Sequence, residues 1–400
     1  MEIVFGAHHL IAPGGADTYL LTVTEQLERL GHRVTIHALE QGKLADWARA
    51  HGFNVAAAER DLPERADALL SHDGATAPVL AQRYPDAPLV YVIHSEIFTI
   101  DTPPQVPDVA SAVVALSDRM ARHAAGLAEP VEIVRLRQPI DTQRFTPRGD
   151  PQARPRVALV MGNYLHGGRR ELLCSALEQL GVQVLALGED GDVTPEPESV
   201  ISAADAVFGK GRVILEAMAC GRPAFVYDWF GADGWVTPQT YPAMEADAFG
   251  GLSDDETTGD VSQLAEQIAR YDAGMGIANR ELAVKHHAGH EHAVELVELM
   301  ERLGARRSSG APLGEMSRLV RQGWMSQART DDLTRDLYAL RNELNHTRTL
   351  LETAEGQRDE AMALWKEVEE FKQSARWRLA ERLASPLDRL RGRRRDPEAR

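Results

Sequence analysis

Cysteine is nearly absent from this chain. Cys174 and Cys220 are the only two in 400 residues. Both stand in apolar, helix-like stretches, so neither a disulfide framework nor a thiolate metal site is indicated. Long apolar runs are missing too, since no stretch approaches the roughly 18 residues of a membrane span. Net positive charge is the third absence. A formal charge of −16 makes the body of the chain a poor match for nucleic acid, while leaving room for a local basic patch. The N-terminus, MEIVFGAHHLIAPGG, has no basic n-region and reads as a first strand, not a signal peptide. A cytoplasmic protein is the expectation.

What is present is an ordinary globular composition, 44% hydrophobic and 26% charged, over a length that calls for two or three domains. Short apolar runs at residues 2–6, 33–39, 66–71, 88–94, 111–117 and 131–135 alternate with helical or turn-rich segments. That is the pattern of a parallel sheet with crossover helices. A proline- and charge-rich stretch, 147–155 (PRGDPQARP), reads as a linker. A second αβ set follows, with strands at 157–162 and 182–187, a helix at 170–180, and a last helix expected over 278–303. The acidic run 189–192 reads as a loop. Two doubly wound, Rossmann-like domains are therefore expected, 1–150 and 151–305, with a ligand in the crevice at the carboxyl ends of their strands.

The segment 209–228, GKGRVILEAMACGRPAFVYD, carries the most chemistry. Gly209 and Gly211 form a turn that opens an apolar helix, whose first N–H groups and positive dipole end make a phosphate site. Lys210 and Arg212 flank it and can add charge-assisted bonds. The alternative is an ordinary αβ unit whose glycines only permit tight turns. Glu216 tells against that alternative, because an ionisable group inside a packed apolar run is costly without a partner, and a ribose hydroxyl pair would supply one.

Residues 306–330 read as a flexible linker. From Leu333 through Leu337, Leu340, Leu344, Leu351, Trp365 and Val368 to Ala375 the spacing alternates four and three, a heptad repeat over 331–375 that predicts a coiled coil and a homo-oligomer. Thr347, Arg358 and Lys372 interrupt its seam. The tail, 376–400, interleaves Trp377, Leu379, Leu383 and Leu387 with arginines; it is either a peripheral membrane contact or a solvated terminus.

Four segments resemble those of GT-B glycosyltransferases, specifically glycosyltransferase family 4, across roughly residues 1–300. They are Pro13-Gly14-Gly15-Ala16-Asp17 with Leu30-Gly31-His32-Arg33-Val34; the strand ending at His94; Arg137-Gln138-Pro139-Ile140-Asp141 with Phe145 and Pro147; and Leu215-Glu216-Ala217-Met218-Ala219-Cys220-Gly221-Arg222-Pro223. The resemblance implies a GT-B fold and transfer of a sugar from a nucleoside diphosphate sugar to a glycan or lipid-linked acceptor, at the inner membrane surface if the tail binds there. It makes Glu216 the ribose ligand and His94 the catalytic cleft residue. Gly14 and Gly15 would face the transferred group, and Arg169, Arg170, Gly209, Lys210, Gly211 and Arg212 would hold the nucleotide. The donor is a substrate, so no resident cofactor and no metal are expected; the histidines His286, His287, His290 and His292 lack an HExxH-like carboxylate. His8 and His9 are further polar residues near the cleft, and His9 is expected to be a satisfied loop or core histidine. Two departures stand out. Phe208 occupies the position of the family's second glutamate, and Asn163 follows Gly162 where an arginine and lysine pair is usual. An epimerase and an inactive GT-B scaffold therefore stay open as alternatives.

Overall fold

A computed structural model describes all residues except 128–130, 163, 164, 166, 189–193, 230, 252–258, 308, 309 and 381–400. Asn163, the acidic run 189–192 and most of the basic tail lie outside the described residues. The first sheet is built from β1 (Glu2–Leu10), α1 (Gly15–Arg29), β2 (Arg33–Gln41), α2 (Lys43–Ala50), β3 (Ala68–Ser71), α3 (Thr76–Arg83), β4 (Leu89–Ile93), β5 (Ala112–Ala115), α4 (Asp118–Ala125) and β6 (Glu132–Arg135). The second comprises β7 (Val157–Gly162), α5 (Gly167–Gln179), β8 (Gln183–Gly188), α6 (Glu198–Ala203), β9 (Ala206–Gly209), α7 (Arg212–Ala219), β10 (Ala224–Tyr227) and β11 (Ala232–Trp235). Helices α8 (Tyr241–Ala246), α9 (Val261–Ile268), α10 (Met275–His286), α11 (Gly289–Arg302) and α12 (Leu313–Gln373) complete the order.

Strand order is β2-β1-β3-β4-β5-β6 in the first sheet and β11-β10-β9-β7-β8 in the second. All neighbours are parallel except the β10/β11 pair. Because successive crossovers leave β1 and β7 in opposite directions, each sheet has a switch point, at β1/β3 and at β7/β9. Loops diverge there and leave a crevice. Apolar residues on both faces fit these crossovers: Ile3 and Phe5 of β1 pack in one core cluster and Val4 in the cluster on the other face.

Several elements differ from the sequence expectation. β1 runs on to Leu10, so His8 and His9 are strand residues; pairing with β2 continues to Leu10 and Gln41 and satisfies the backbone there. The helix expected over 278–303 is two helices, α10 and α11. The break lets Ile140 N–H donate to His287 O (2.8 Å) and Gly289 N–H donate to Ile140 O (2.9 Å). A side chain at Gly289 would come within 3.2 Å of that same oxygen. Beyond the break, Ala293, Leu296, Leu299 and Met300 of α11 pack into the core beside α1. At about 1.5–3 kcal/mol for each large apolar side chain buried, this dominates the anchorage of the helix.

Residues 313–330, read as linker, form the start of α12. Leu313 and Ser317 are buried and Met316, Val320, Arg321, Trp324 and Gln327 are half-buried, a three-four spacing that lays one stripe of the helix on the protein body. Ahead of it, the Arg306 guanidinium is anchored by carbonyls of Ala87, Asp108, Ala81 and Tyr84. Contacts divide the chain into two units, Met1–Ala328 and Arg329–Arg400. In the second, Leu333, Leu337, Leu340, Leu344, Leu351, Trp365 and Val368 are exposed along the helix. Among the described residues no helix is long and apolar enough to cross a membrane.

Candidate active site

The β7/β9 crevice is framed by the glycine turn. A side chain at Gly209 would lie 2.5 Å from Met161 O of β7, so only glycine lets the two strand ends approach this closely. Gly211, at φ 59°, caps α7 in the left-handed region, with its N–H donating to Phe249 O (2.9 Å). The Lys210 ammonium pairs with Asp228, just past β10. Arg169, in the first turn of α5, lays its guanidinium over the Tyr227 ring at 5.0 Å from the centroid, and Tyr227 Oη donates back to Arg169 O (2.9 Å). Lys210 and Arg169 thus flank the end of β10 together. Arg170 is turned along α5, where it interacts with Cys174.

Arg212 and Glu216 do something the sequence did not announce. They form a buried i, i+4 pair, Nε to Oε1 at 3.1 Å, while the other guanidinium nitrogens donate to Pro139 O (2.9 Å) and Thr22 Oγ1 (2.7 Å) of α1. The start of α7 is therefore fastened to the N-terminal sheet's first helix. Burial raises the Glu216 carboxyl above the usual range and the Arg212 and Arg144 charges pull it back; burial likewise lowers Arg212. Phe208 lies within β9, fully buried against Phe225 (5.3 Å) and Trp235 (5.7 Å), on the face covered by α5 and α9. From there it belongs to the core and offers a ligand nothing.

The β1/β3 crevice holds the remaining expected residues. Gly14 is the N-cap of α1 and Gly15 its first residue. His94, just after β4, meets Tyr19 (4.8 Å between centroids) and His72 (5.2 Å) edge-on. Burial, with nearby His72 and Arg212, holds His94 well below the ordinary histidine pKa, so its ring is neutral. His9 departs from the satisfied role expected of it: its Nδ1 stands 3.7 Å from Asp17 without a hydrogen bond among the described residues. Burial raises Asp17 to about 6. The composition held no signal for Asp17 or Asp228 beyond their places beside a glycine pair and a strand end.

His287 and His292 are structural. Nδ1 of each faces a carbonyl, Gln138 O (2.7 Å) and Arg137 O (2.9 Å), so it carries the hydrogen; Nε2 then accepts from Tyr241 and Tyr19 hydroxyls, both at 2.8 Å. Among the described residues no group of three or more His, Cys, Asp or Glu is placed to hold a metal. Burial lowers His287 to about 4 and His292 to about 3. A histidine kept neutral in the folded state but free to protonate at 6.5 when unfolded stabilises fully above 6.5, and that contribution fades as pH falls toward its folded value. His292→Gln should therefore flatten the loss of stability between pH 6.5 and 4.5, by about 1.4 kcal/mol per pH unit. Urea midpoints across that range measure it, and parallel wild-type and variant curves would refute it.

Comparison with solved structures places this geometry among known folds. The Anabaena protein HepE (Alr3699), crystallised with UDP and glucose, is 15% identical, and the match covers 76% of this chain and all of HepE, with a TM-score of 0.50. The pneumococcal O-GlcNAc transferase GtfA, crystallised with UDP and GlcNAc, is 10% identical over 76% of this chain and 99% of its own, with a TM-score of 0.52. The fold is GT-B. At these identities the likeness is one of fold. No protein-family model matches the sequence, and no curated protein matches it either. Within the GT-B frame, the Gly209–Gly211 turn and the Gly14–Gly15 turn stand at the switch points of the two sheets, linked through Arg212.

Proposed function

We propose that the chain is a glycosyltransferase of the family-4 kind, which moves a sugar from a nucleoside diphosphate sugar to a glycan or lipid-linked acceptor. The observation that carries this reading is the glycine turn and α7 N-terminus at the β7/β9 crevice, with Lys210 and Arg169 beside it and α1 of the other sheet fastened to Arg212. Departure of a nucleoside diphosphate builds negative charge on the leaving oxygen. Helix N–H groups and these cations are placed to stabilise that charge without a metal. Glu216 is the ribose ligand and His94 the polar group beside the transferred sugar. HepE and GtfA carry UDP in their crystals, so a UDP-sugar is the first donor to test. The heptad seam of α12 pairs copies of the chain.

Phe208 in the core and Glu216 already paired with Arg212 favour the scaffold as the second reading. Thermal unfolding with UDP, GDP and dTDP separates the two. Stabilisation by UDP is expected, and Lys210→Ala should weaken UDP about tenfold or more while leaving uridine affinity unchanged, since a charge-assisted phosphate bond is what it removes. If no nucleotide raises the midpoint, the transferase reading is lost and the scaffold stands.

A further inference from the structure

The β1/β3 crevice is lined by polar groups that the nucleotide does not need. His8 and His9 end β1, His72 and Asp73 follow β3, and His94 follows β4. His8, His72 and Asp73 are only 7%, 5% and 3% exposed. Buried polar atoms are ordinarily hydrogen-bonded. Here both ring nitrogens of His8, Nδ1 of His72, Oδ2 of Asp73 and Nε2 of His94 have no hydrogen-bond partner among the described residues. The rings meet in two pairs, with centroids 5.4 Å apart for His8 and His9 and 5.2 Å for His72 and His94, and His9 is near enough to act electrostatically on both His72 and Asp73.

The first turns of α12 run along the same strand ends. Gln327 Oε1 accepts from Thr99 N–H (3.0 Å) and Thr99 Oγ1 (2.9 Å), and its amide nitrogen donates to Ile97 O (3.1 Å). Trp324 meets Phe98 edge-on at 5.7 Å. Val320 approaches Gly74, next to Asp73, closely enough that a side chain there would touch it at 3.4 Å. Arg321 Nη2 donates to Glu40 Oε1 (3.0 Å), which itself stands 4.0 Å from His8 Nε2, and Arg321 Nε is buried without a partner among the described residues. Fixing this much of a long helix against strand ends that carry unpaired polar atoms makes α12 a wall of the crevice.

We propose that Arg321 of α12, with His8, His72, Asp73 and His94, forms a subsite for a neutral saccharide, the terminal sugar of the acceptor. The assignment of that sugar as acceptor rests on the glycosyl-transfer reading. Sugar hydroxyls both donate and accept. Burial lowers His8 to about 4 and His72 to about 3, so each ring is neutral and offers one donor and one acceptor. Asp73 adds an acceptor and Arg321 a donor. An anionic sugar is the poorer fit, because Glu40, Asp17 and Asp73 surround the crevice and the Arg321 charge is already paired with Glu40.

The test uses the full chain with UDP, titrated with methyl glycosides of glucose, galactose, mannose and N-acetylglucosamine and with methyl glucuronide, followed by saturation-transfer NMR. At least one neutral glycoside should bind, and Arg321→Ala should weaken it about tenfold with UDP affinity and unfolding midpoint unchanged. His8→Gln should act in the same direction. The inference falls if no neutral glycoside binds, if Arg321→Ala leaves the affinity alone, or if the glucuronide binds best. UDP titration of the same samples reads the nucleotide separately: glycoside binding without UDP binding would uphold the subsite and sink glycosyl transfer.

Discussion

Arg212→Ala is expected to cost about 3–5 kcal/mol of stability at neutral pH, because it leaves the Glu216 carboxylate buried without its cation. Both side chains are almost fully buried, at 6% and 5% exposed, so water does little to screen either charge. Two further bonds, to Thr22 and Pro139 O, are lost at the same time. Taking the pair out of water is costly too, so the pair itself is worth far less than its removal from one side. The double variant Arg212→Met/Glu216→Leu should therefore regain most of the loss. It should not regain UDP binding, if Glu216 is the ribose ligand. Urea denaturation measures the first statement and calorimetric titration the second. A loss below about 1 kcal/mol for Arg212→Ala would mean that the carboxyl is protonated or hydrated in the folded protein.

Leu337→Lys together with Leu344→Lys should reduce the mass measured by light scattering to that of one chain. These leucines are 66% and 67% exposed within a single chain and stand one heptad apart on a stripe that repeats every three to four residues. Each leucine buried on pairing contributes about 1.5–3 kcal/mol, and a lysine in its place must be desolvated against its counterpart. Residues 1–328 form a contact unit of their own, so UDP binding should survive the change. An unchanged mass would remove the seam as the basis of assembly.

Much of the fold was legible because both sheets are covered on two faces. Strands such as Ala112–Ala115 then appear as short apolar runs whatever their order. The glycine turn was legible for a similar reason: Gly209 and Gly211 answer to a close strand approach and a left-handed backbone, demands that few other residues meet. The break between α10 and α11 was not read from the sequence, since a lone glycine such as Gly289 is tolerated inside a helical run and the break is set by Ile140 from another part of the chain. Nor was the docking of residues 313–328, because a half-buried stripe with Arg321 and Gln327 in it looks like a solvated face until Glu40 and Thr99 are brought to it. The pairing of Glu216 with Arg212 was not read either, because a phosphate and a ribose were expected to claim the two side chains, and its tie to Thr22 depends on how two sheets meet.

The chain passes between the two sheets twice, and the passes are bonded to each other where Ile140 meets His287 and Gly289. His287 and His292 stitch the same strip through the carbonyls of Gln138 and Arg137. Two tethers fastened side by side define a line rather than a point. Relative motion of the sheets is then steered into rotation about that line, in which residues near it barely shift; the start of α7 is among them, since Arg212 bonds Pro139 O beside Ile140. A door hung this way opens widest at the edge opposite its hinge.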